Sequence, residues 1–179
     1  MPTLRQDPDD TLAARAQLGD AAALGELFER FAPTIWPLLV RLLASRPDAE
    51  DALQDVFIGL PEALRRYTSR GRLGGWIRQV AVRTALMRLR SGRRRAESAF
   101  AEGDMPVSLP PPIELRLAIS AALAALPPDL RTVFVLKEIE GYSHAEIAHM
   151  VGIAVGLSEV RLCRARQRLR VLLSDQEPT

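Results

Sequence analysis

Arginine is the residue of this chain best suited to chemistry, and it is unevenly placed. Between Arg65 and Arg95 there are eleven arginines and no acidic residue, a net charge of +11. A second block, 161–179, holds five arginines against two acids, net +3. The stretches 1–64 and 96–160 are each net −6, so the whole chain carries only +2. A guanidinium matches phosphate oxygens in charge and in fork geometry, so such blocks are the footprint of a protein that meets a nucleic-acid backbone. Solvated helix faces also carry arginines, but eleven without a compensating acid repel one another unless a polyanion is present.

Other chemistry is sparse. A single cysteine, Cys163, excludes a disulfide framework and any multi-cysteine zinc or iron–sulfur site. His144 and His149 are five apart, which is not the His-Glu-x-x-His zinc pattern. There is no Ser/His/Asp or Cys/His arrangement and no phosphate loop, so no enzyme, metal or cofactor is expected. The longest apolar stretch, Ile35 to Leu43, is far shorter than the roughly 20 residues that span a bilayer. Met1 to Asp10 carries three aspartates and no apolar run, unlike a secretory signal. The expectation is a soluble cytoplasmic protein without membrane insertion.

The elements that must position the arginines read as helices. The 179 residues are 47% apolar and 5% aromatic, enough for one domain or two small ones with cores of Leu, Ala, Val and Ile. Period-2 alternation is absent, so strands are not expected. Helices are predicted at Thr11–Gly19 and Ala21–Phe31. A third follows Pro33, starting or kinking at Pro37. Pro47-Asp48 opens the next, with acids at its positive end and Ala49, Leu53, Val56, Phe57 and Leu60 as its apolar stripe. A glycine-bearing loop, Tyr67 to Gly75, precedes a long helix from Gly75 or Trp76 to about Arg90. Residues 91–112, which carry Glu97, Glu102 and Asp104 and end in Pro110-Pro111-Pro112, read as a linker.

The carboxy-terminal part has a clear grammar. Ile113–Leu126 is a predicted helix that stops at Pro127-Pro128, and Asp129–Glu140 is the next. Ser143 and Glu146 have the spacing of a capping box, opening a helix that ends at Gly152. The last helix, Val155 to Leu173, has an inward stripe of Ser158, Leu162, Ala165, Leu169 and Leu172. Its outward face carries Glu159, Val160, Cys163 and Arg164, with Arg161, Arg166, Arg168 and Arg170 around it. A helix, a tight turn and a basic second helix make a helix-turn-helix, whose second helix fits the major groove. His144, in a first helical turn, reads as a surface residue.

The chain resembles the extracytoplasmic-function (ECF) group of the sigma-70 family, RNA polymerase subunits that keep only regions 2 and 4. Asp48-Ala49-Glu50-Asp51-Ala52-Leu53-Gln54-Asp55-Val56-Phe57 is similar to region 2.2. Trp76-Ile77-Arg78-Gln79-Val80-Ala81-Val82-Arg83 is similar to regions 2.3 and 2.4. Leu126-Pro127-Pro128-Asp129-Leu130-Arg131, Glu140-Gly141-Tyr142-Ser143, Glu146-Ile147-Ala148 and Arg161-Leu162-Cys163-Arg164-Ala165-Arg166 are similar to region 4. Where the family often has Ser-x-Gly-Thr-Val-Lys-Ser, this chain has Ala154-Val155-Gly156-Leu157-Ser158-Glu159-Val160. An alanine thus replaces the capping serine, and Glu159 stands where a base is common.

The resemblance implies an all-α protein of two small helical domains joined by a flexible linker: a tail (1–9), a region 2 domain (10–92), a linker (93–112), a region 4 helix-turn-helix domain (113–174) and a tail (175–179). It implies core polymerase binding, through the clamp and flap regions, by Asp48, Asp51, Gln54, Asp55 and Phe57. It implies contact with the −10 element by Tyr67, Arg70, Arg72, Trp76, Arg78, Gln79, Arg83, Arg88 and Arg90, with the Tyr67–Gly75 loop receiving an extruded base. Trp76 itself reads as core rather than as a stacking platform. The −35 element falls to Glu159, Val160, Arg161, Cys163, Arg164 and Arg166. Promoter DNA and a cognate anti-sigma protein are the further implied partners. The function is then a promoter-specificity subunit. A stand-alone helix-turn-helix regulator is the alternative; it leaves the acidic 2.2 segment and the +11 block without a role.

Overall fold

The structure is a computed structural model that describes residues 8–68, 72–98 and 114–174. The described residues contain helices and no strand: α1 (Pro8–Gln17), α2 (Ala21–Leu43), α3 (Arg46–Ile58), α4 (Leu60–Leu64), α5 (Leu73–Ser98), α6 (Glu114–Ala124), α7 (Pro128–Phe134), α8 (His144–Val151) and α9 (Val155–Ser174). A π-helical turn, Val135–Ile139, extends α7. The all-α, two-domain expectation is borne out. Two compact units divide the chain, Met1–Leu39 with Pro47–Arg88, and Val40–Arg46 with Leu89–Thr179.

In the first unit the buried side chains follow the helical period. Leu12, Ala13 and Ala16 of α1, Ala23, Leu27, Ile35, Leu38 and Leu39 of α2, and Ala49, Ala52, Val56 and Phe57 of α3 are inside, with Ile77, Ala81, Val82 and Ala85 of α5. Phe57 meets Phe28 edge-on at 4.8 Å. Asp20 caps α2, accepting from the amides of Ala22 at 2.9 Å and Ala23 at 3.1 Å. Gly74 faces the ring of Phe31, where an added Cβ would lie 3.0 Å from Cε1; glycine admits this close approach.

Several boundaries differ from the sequence reading. The expected break between Phe31 and Pro33 does not occur: α2 runs unbroken through Pro33 and Pro37. An interior proline costs about 3 kcal/mol in an isolated helix. Here the stripe Leu27, Ile35, Leu38, Leu39 and Leu42 is wholly buried, while Pro33 is exposed, so burial outweighs the lost amide bonds. The helix begun at Pro47-Asp48 divides at Gly59 into α3 and α4. The next begins at Leu73, which is buried and so belongs to the helix rather than to the loop. It continues past Arg90 to Ser98, into the stretch read as linker. Residues 99–112 of that linker, the tail residues 1–7 and 175–179, and Arg70 lie outside the described residues.

The second unit packs α6 and α9 through Ala122, Leu123, Leu126, Ala165 and Leu169, with Leu130, Phe134, Leu172 and Leu173 against them. Arg131 is 5% exposed and donates to the carbonyls of Ala124 (3.0 Å), Leu126 (3.2 Å), Leu42 (3.1 Å) and Leu43 (3.4 Å). Burial pushes its guanidinium pKa down from the ordinary value. The carbonyls of Leu42 and Leu43 end α2, beside Ala44, which sits at φ +54°, a conformation glycine usually occupies. The expected α-helix Asp129–Glu140 ends instead in the π-turn, where the Glu140 amide reaches back five residues to the Val135 carbonyl at 3.0 Å.

Candidate nucleic-acid interface

The helix-turn-helix is built by three local devices. The Ser143 hydroxyl accepts from the Glu146 amide at 3.2 Å, and the Glu146 carboxylate accepts from the Ser143 amide at 2.8 Å, closing the capping box. The Ser143 hydroxyl and amide hold the Glu146 carboxyl below the usual range. At the other end of α8, Gly152 takes φ +75° and donates to the Ala148 carbonyl at 2.9 Å, turning the chain into α9. The α9 stripe is inward as expected: Ser158, Leu162, Ala165 and Leu169 are buried and Leu172 is half-buried. Ala154 offers no side-chain cap to α9, a deficit of about 0.5–2 kcal/mol relative to serine. His144 departs from its reading as a surface residue: its Nδ1 lies 2.9 Å from the Oγ of fully buried Ser158.

The rest of α9 sorts by direction. Glu159, Val160, Cys163 and Arg164 are exposed, Glu159 flanking the stripe and the other three on the side away from it, and Gln167, absent from the sequence-derived set, is exposed on that side as well. The spacing of Val160, Cys163, Arg164 and Gln167 could have identified it. Two arginines assigned to DNA are drawn aside. Arg161 is 3.3 Å from Asp129, largely buried against α7, and Arg166 is 2.7 Å from Glu138. Arg164, Arg168 and Arg170 are exposed and form no ion pair among the described residues.

In the first unit, Asp48, Asp51, Gln54 and Asp55 are exposed on α3. Phe57 is 6% exposed and lies against Phe28, so it supports this helix from inside rather than sharing its acidic face. Arg88 crosses from α5 to that face, with Nε 3.0 Å from Asp55 Oδ2 and Nη1 3.4 Å from Asp51 Oδ2. Burial works against its charge, but Asp55 and Asp51 outweigh it and raise its pKa. Arg72, Trp76, Gln79 and Arg83 follow helical spacing along one line at and beyond the start of α5. Arg72, Gln79 and Arg83 are exposed, while Arg78 is half-buried. Trp76 is half-buried against Tyr67, ring centroids 5.2 Å apart, and the Tyr67 hydroxyl donates to Asp10 at 3.1 Å. Arg90, in the second unit, donates to the carbonyls of Met150 (3.2 Å) and Val151 (2.9 Å) at the end of α8.

The arrangement offers hydrogen bonds, charge and exposed apolar side chains. Among the described residues no group of three or more His, Cys, Asp or Glu could hold a metal ion, and no helix is long and apolar enough to cross a membrane.

Comparison with known proteins finds two family models in order along the chain: Sigma-70 region 2 over residues 27–95 and Sigma-70, region 4 over residues 116–169. The chain is 33% identical over 181 residues to the RNA polymerase sigma-H factor of Pseudomonas aeruginosa, covering 93% of this chain and 94% of that protein. It is 35% identical over 167 residues to the ECF RNA polymerase sigma factor SigE of Mycolicibacterium smegmatis, covering 87% of this chain and 65% of the relative. The sigma factor RpoE of Bartonella quintana, solved in complex with the anti-sigma factor NepR, shares the fold with a TM-score of 0.66 at 22% identity, over 86% of this chain and 98% of that one. With both regions matched in order and nearly the full length of the P. aeruginosa factor aligned, the chain belongs to the ECF group of the sigma-70 family of RNA polymerase sigma factors.

Proposed function

We propose that this chain is the promoter-specificity subunit of RNA polymerase and that its two reading surfaces are the line Arg72, Trp76, Gln79, Arg83 and the face Glu159, Val160, Cys163, Arg164, Gln167. The observation that carries the reading is the pairing, in one chain, of a region 2 with an acidic α3 face and a region 4 with an outward-facing α9. The acids Asp48, Asp51 and Asp55, with Gln54, dock core polymerase. The α5 line meets the −10 element, where Arg72 and Arg83 take phosphates and Trp76, backed by Tyr67, borders an unstacked base. Arg70 joins this set by its place in the sequence between Tyr67 and Arg72. The α9 face enters the major groove at the −35 element, with Arg164 and Glu159 able to pair base edges and Arg168 a phosphate.

The protein performs no bond chemistry of its own and acts in the cytoplasm, with the nucleoid when in holoenzyme. The matches at 27–95 and 116–169 support a division into a region 2 domain of 10–92, a linker of 93–112 and a region 4 domain of 113–174. A protein that covers these faces, an anti-sigma factor, is the expected regulator. Run-off transcription with core polymerase on a genomic fragment library, with and without the chain, tests the reading. New start sites preceded by shared −10 and −35 sequences are expected. Start sites identical with and without the chain would refute it.

A further inference from the structure

The geometry points to His144 as a positioning residue for −35 recognition: its bond to Ser158 fixes the first turn of α9, and with it the direction of Glu159, Val160 and Cys163. The inference rests on the reading of α9 as the groove helix.

Ser158 occupies an inward position of α9, on the same stripe as Leu162, Ala165 and Leu169, and is 0% exposed. A hydroxyl therefore stands here in an otherwise apolar seam. A buried hydroxyl needs a partner, and among the described residues no buried side-chain polar atom lacks one. For Ser158 that partner is His144, with Nδ1 to Oγ at 2.9 Å. His144 is the first residue of α8, enclosed by the capping box that Ser143 and Glu146 close around it. The imidazole is therefore carried by a backbone already pinned at its own end.

The other end of the bond is a turn without a side-chain cap at residue 154. Helix α9 starts at Val155 after Ala154, which has no side-chain oxygen to cap it. The Ser158 amide donates to the Ala154 carbonyl at 3.1 Å, so Ser158 closes the first turn through its backbone and ties that turn to α8 through its side chain. Glu159 follows it immediately, and Val160 and Cys163 lie on the exposed side. A helix places successive residues about 100° apart, so rotation of the first turn about Ser158 swings Glu159 and Val160 together across the base edges. Either tautomer of the ring makes the bond, since the hydroxyl can donate to a bare Nδ1 or accept from an Nδ1–H.

The test uses the full chain in holoenzyme reconstituted with core polymerase, selecting transcripts from a promoter library randomised at the −35 element. His144→Phe keeps a ring and removes the nitrogen. His144→Asn places a polar atom close to the position of Nδ1. Loss of preference between the best and poorest −35 sequences by about tenfold, the scale of one base contact, is expected in His144→Phe. Wild-type preference should return in His144→Asn. The pair His144→Phe with Ser158→Val, which leaves no orphaned hydroxyl, should lose no more preference than His144→Phe alone. Unchanged preference in His144→Phe overturns the proposal, as does an equal loss on every −35 sequence that His144→Asn fails to repair. A wild-type holoenzyme with no −35 preference overturns the groove-helix reading itself, and the proposal with it.

Discussion

The Nε of Arg88 lies 3.0 Å from Asp55 Oδ2, so a cation that sequence position assigns to DNA is held by an acid assigned to polymerase. Asp51 takes the same guanidinium from the other side at 3.4 Å. The guanidinium thus joins the surface of α5 to that of α3. Arg88 is thereby removed from the free cations of the +11 block, while Arg72 and Arg83 remain exposed.

Arg88→Gln is expected to leave −10 use within about twofold and to lower stability by about 0.5–1 kcal/mol, the range for partly exposed ion pairs. Thermal unfolding measures the second and open-complex formation on one promoter the first. Charge reversal of Asp51 and Asp55 together should abolish co-purification with core polymerase and also lower the unfolding midpoint, because Arg88 would then face two cations. A variant that keeps core binding would show that the acidic face is not the docking surface.

Arg131 is buried with four carbonyl acceptors, two of them at the end of α2. Arg131→Met should cost roughly 3 kcal/mol, since each charge-assisted bond is worth about 1.5–3 kcal/mol and the carbonyls are left short of donors. Arg131→Lys should recover only part, because an ammonium cannot reproduce the planar fork. Ala44→Gly should act oppositely, raising stability by about 0.5–1 kcal/mol by relieving a left-handed alanine at φ +54°. Urea unfolding of the three variants checks both signs.

The carboxyl of Glu146 is held below its ordinary value of 4.5 by the hydroxyl and amide of Ser143. A lowered folded pKa means that the unfolded chain binds the proton first on acidification. The stabilisation from the box is therefore complete above the ordinary glutamate range and fades as pH falls through the folded pKa. The gap in unfolding midpoint between wild type and Glu146→Gln should be widest near neutrality and close on acidification below the ordinary value. A gap that stays constant with pH would mean that the ionised carboxylate adds nothing to the cap.

The capping box, the Gly152 turn and the α9 stripe were legible because each rests on contacts within a few residues. Sequence carries such spacing directly: Ser143 with Glu146, and Ser158 with Leu162, Ala165 and Leu169. The unbroken path of α2 was not, because local propensity at Pro33 and Pro37 opposes it and only burial of Leu38, Leu39 and Leu42 decides it. The fates of the arginines were hidden for a related reason. Arg88, Arg161 and Arg166 look alike in sequence to Arg83, Arg164 and Arg168, and only tertiary neighbours separate the paired from the free. Phe57 likewise fits the region 2.2 pattern, but its ring faces Phe28 inside the unit. The His144–Ser158 bond spans fourteen residues, and nothing in either position announces the other.

On α9 the same sorting separates base readers from supports. Glu159 and Arg164 are exposed, whereas Arg161 is tied to Asp129 and Arg166 to Glu138. A glutamate accepts from cytosine N4 and repels phosphates, so it weakens general affinity and favours only a matching base. An arginine pairs with guanine O6 and N7, each good contact discriminating by about 1–3 kcal/mol. Glu159→Lys should therefore raise binding to unrelated DNA and change the preferred −35 sequence. Arg164→Ala should lose affinity mainly at guanine-bearing sites, and Arg168→Ala should weaken all sites evenly with a shallower salt dependence. Arg161→Ala, by contrast, should lower the unfolding midpoint and leave the sequence preference intact, because its cation is bound to α7. Selection from a randomised −35 library with each variant in holoenzyme, beside thermal unfolding, separates these outcomes. An unchanged preference in both Glu159→Lys and Arg164→Ala would show that this face does not read bases. A changed preference in Arg161→Ala would show that its pairing with Asp129 opens on DNA.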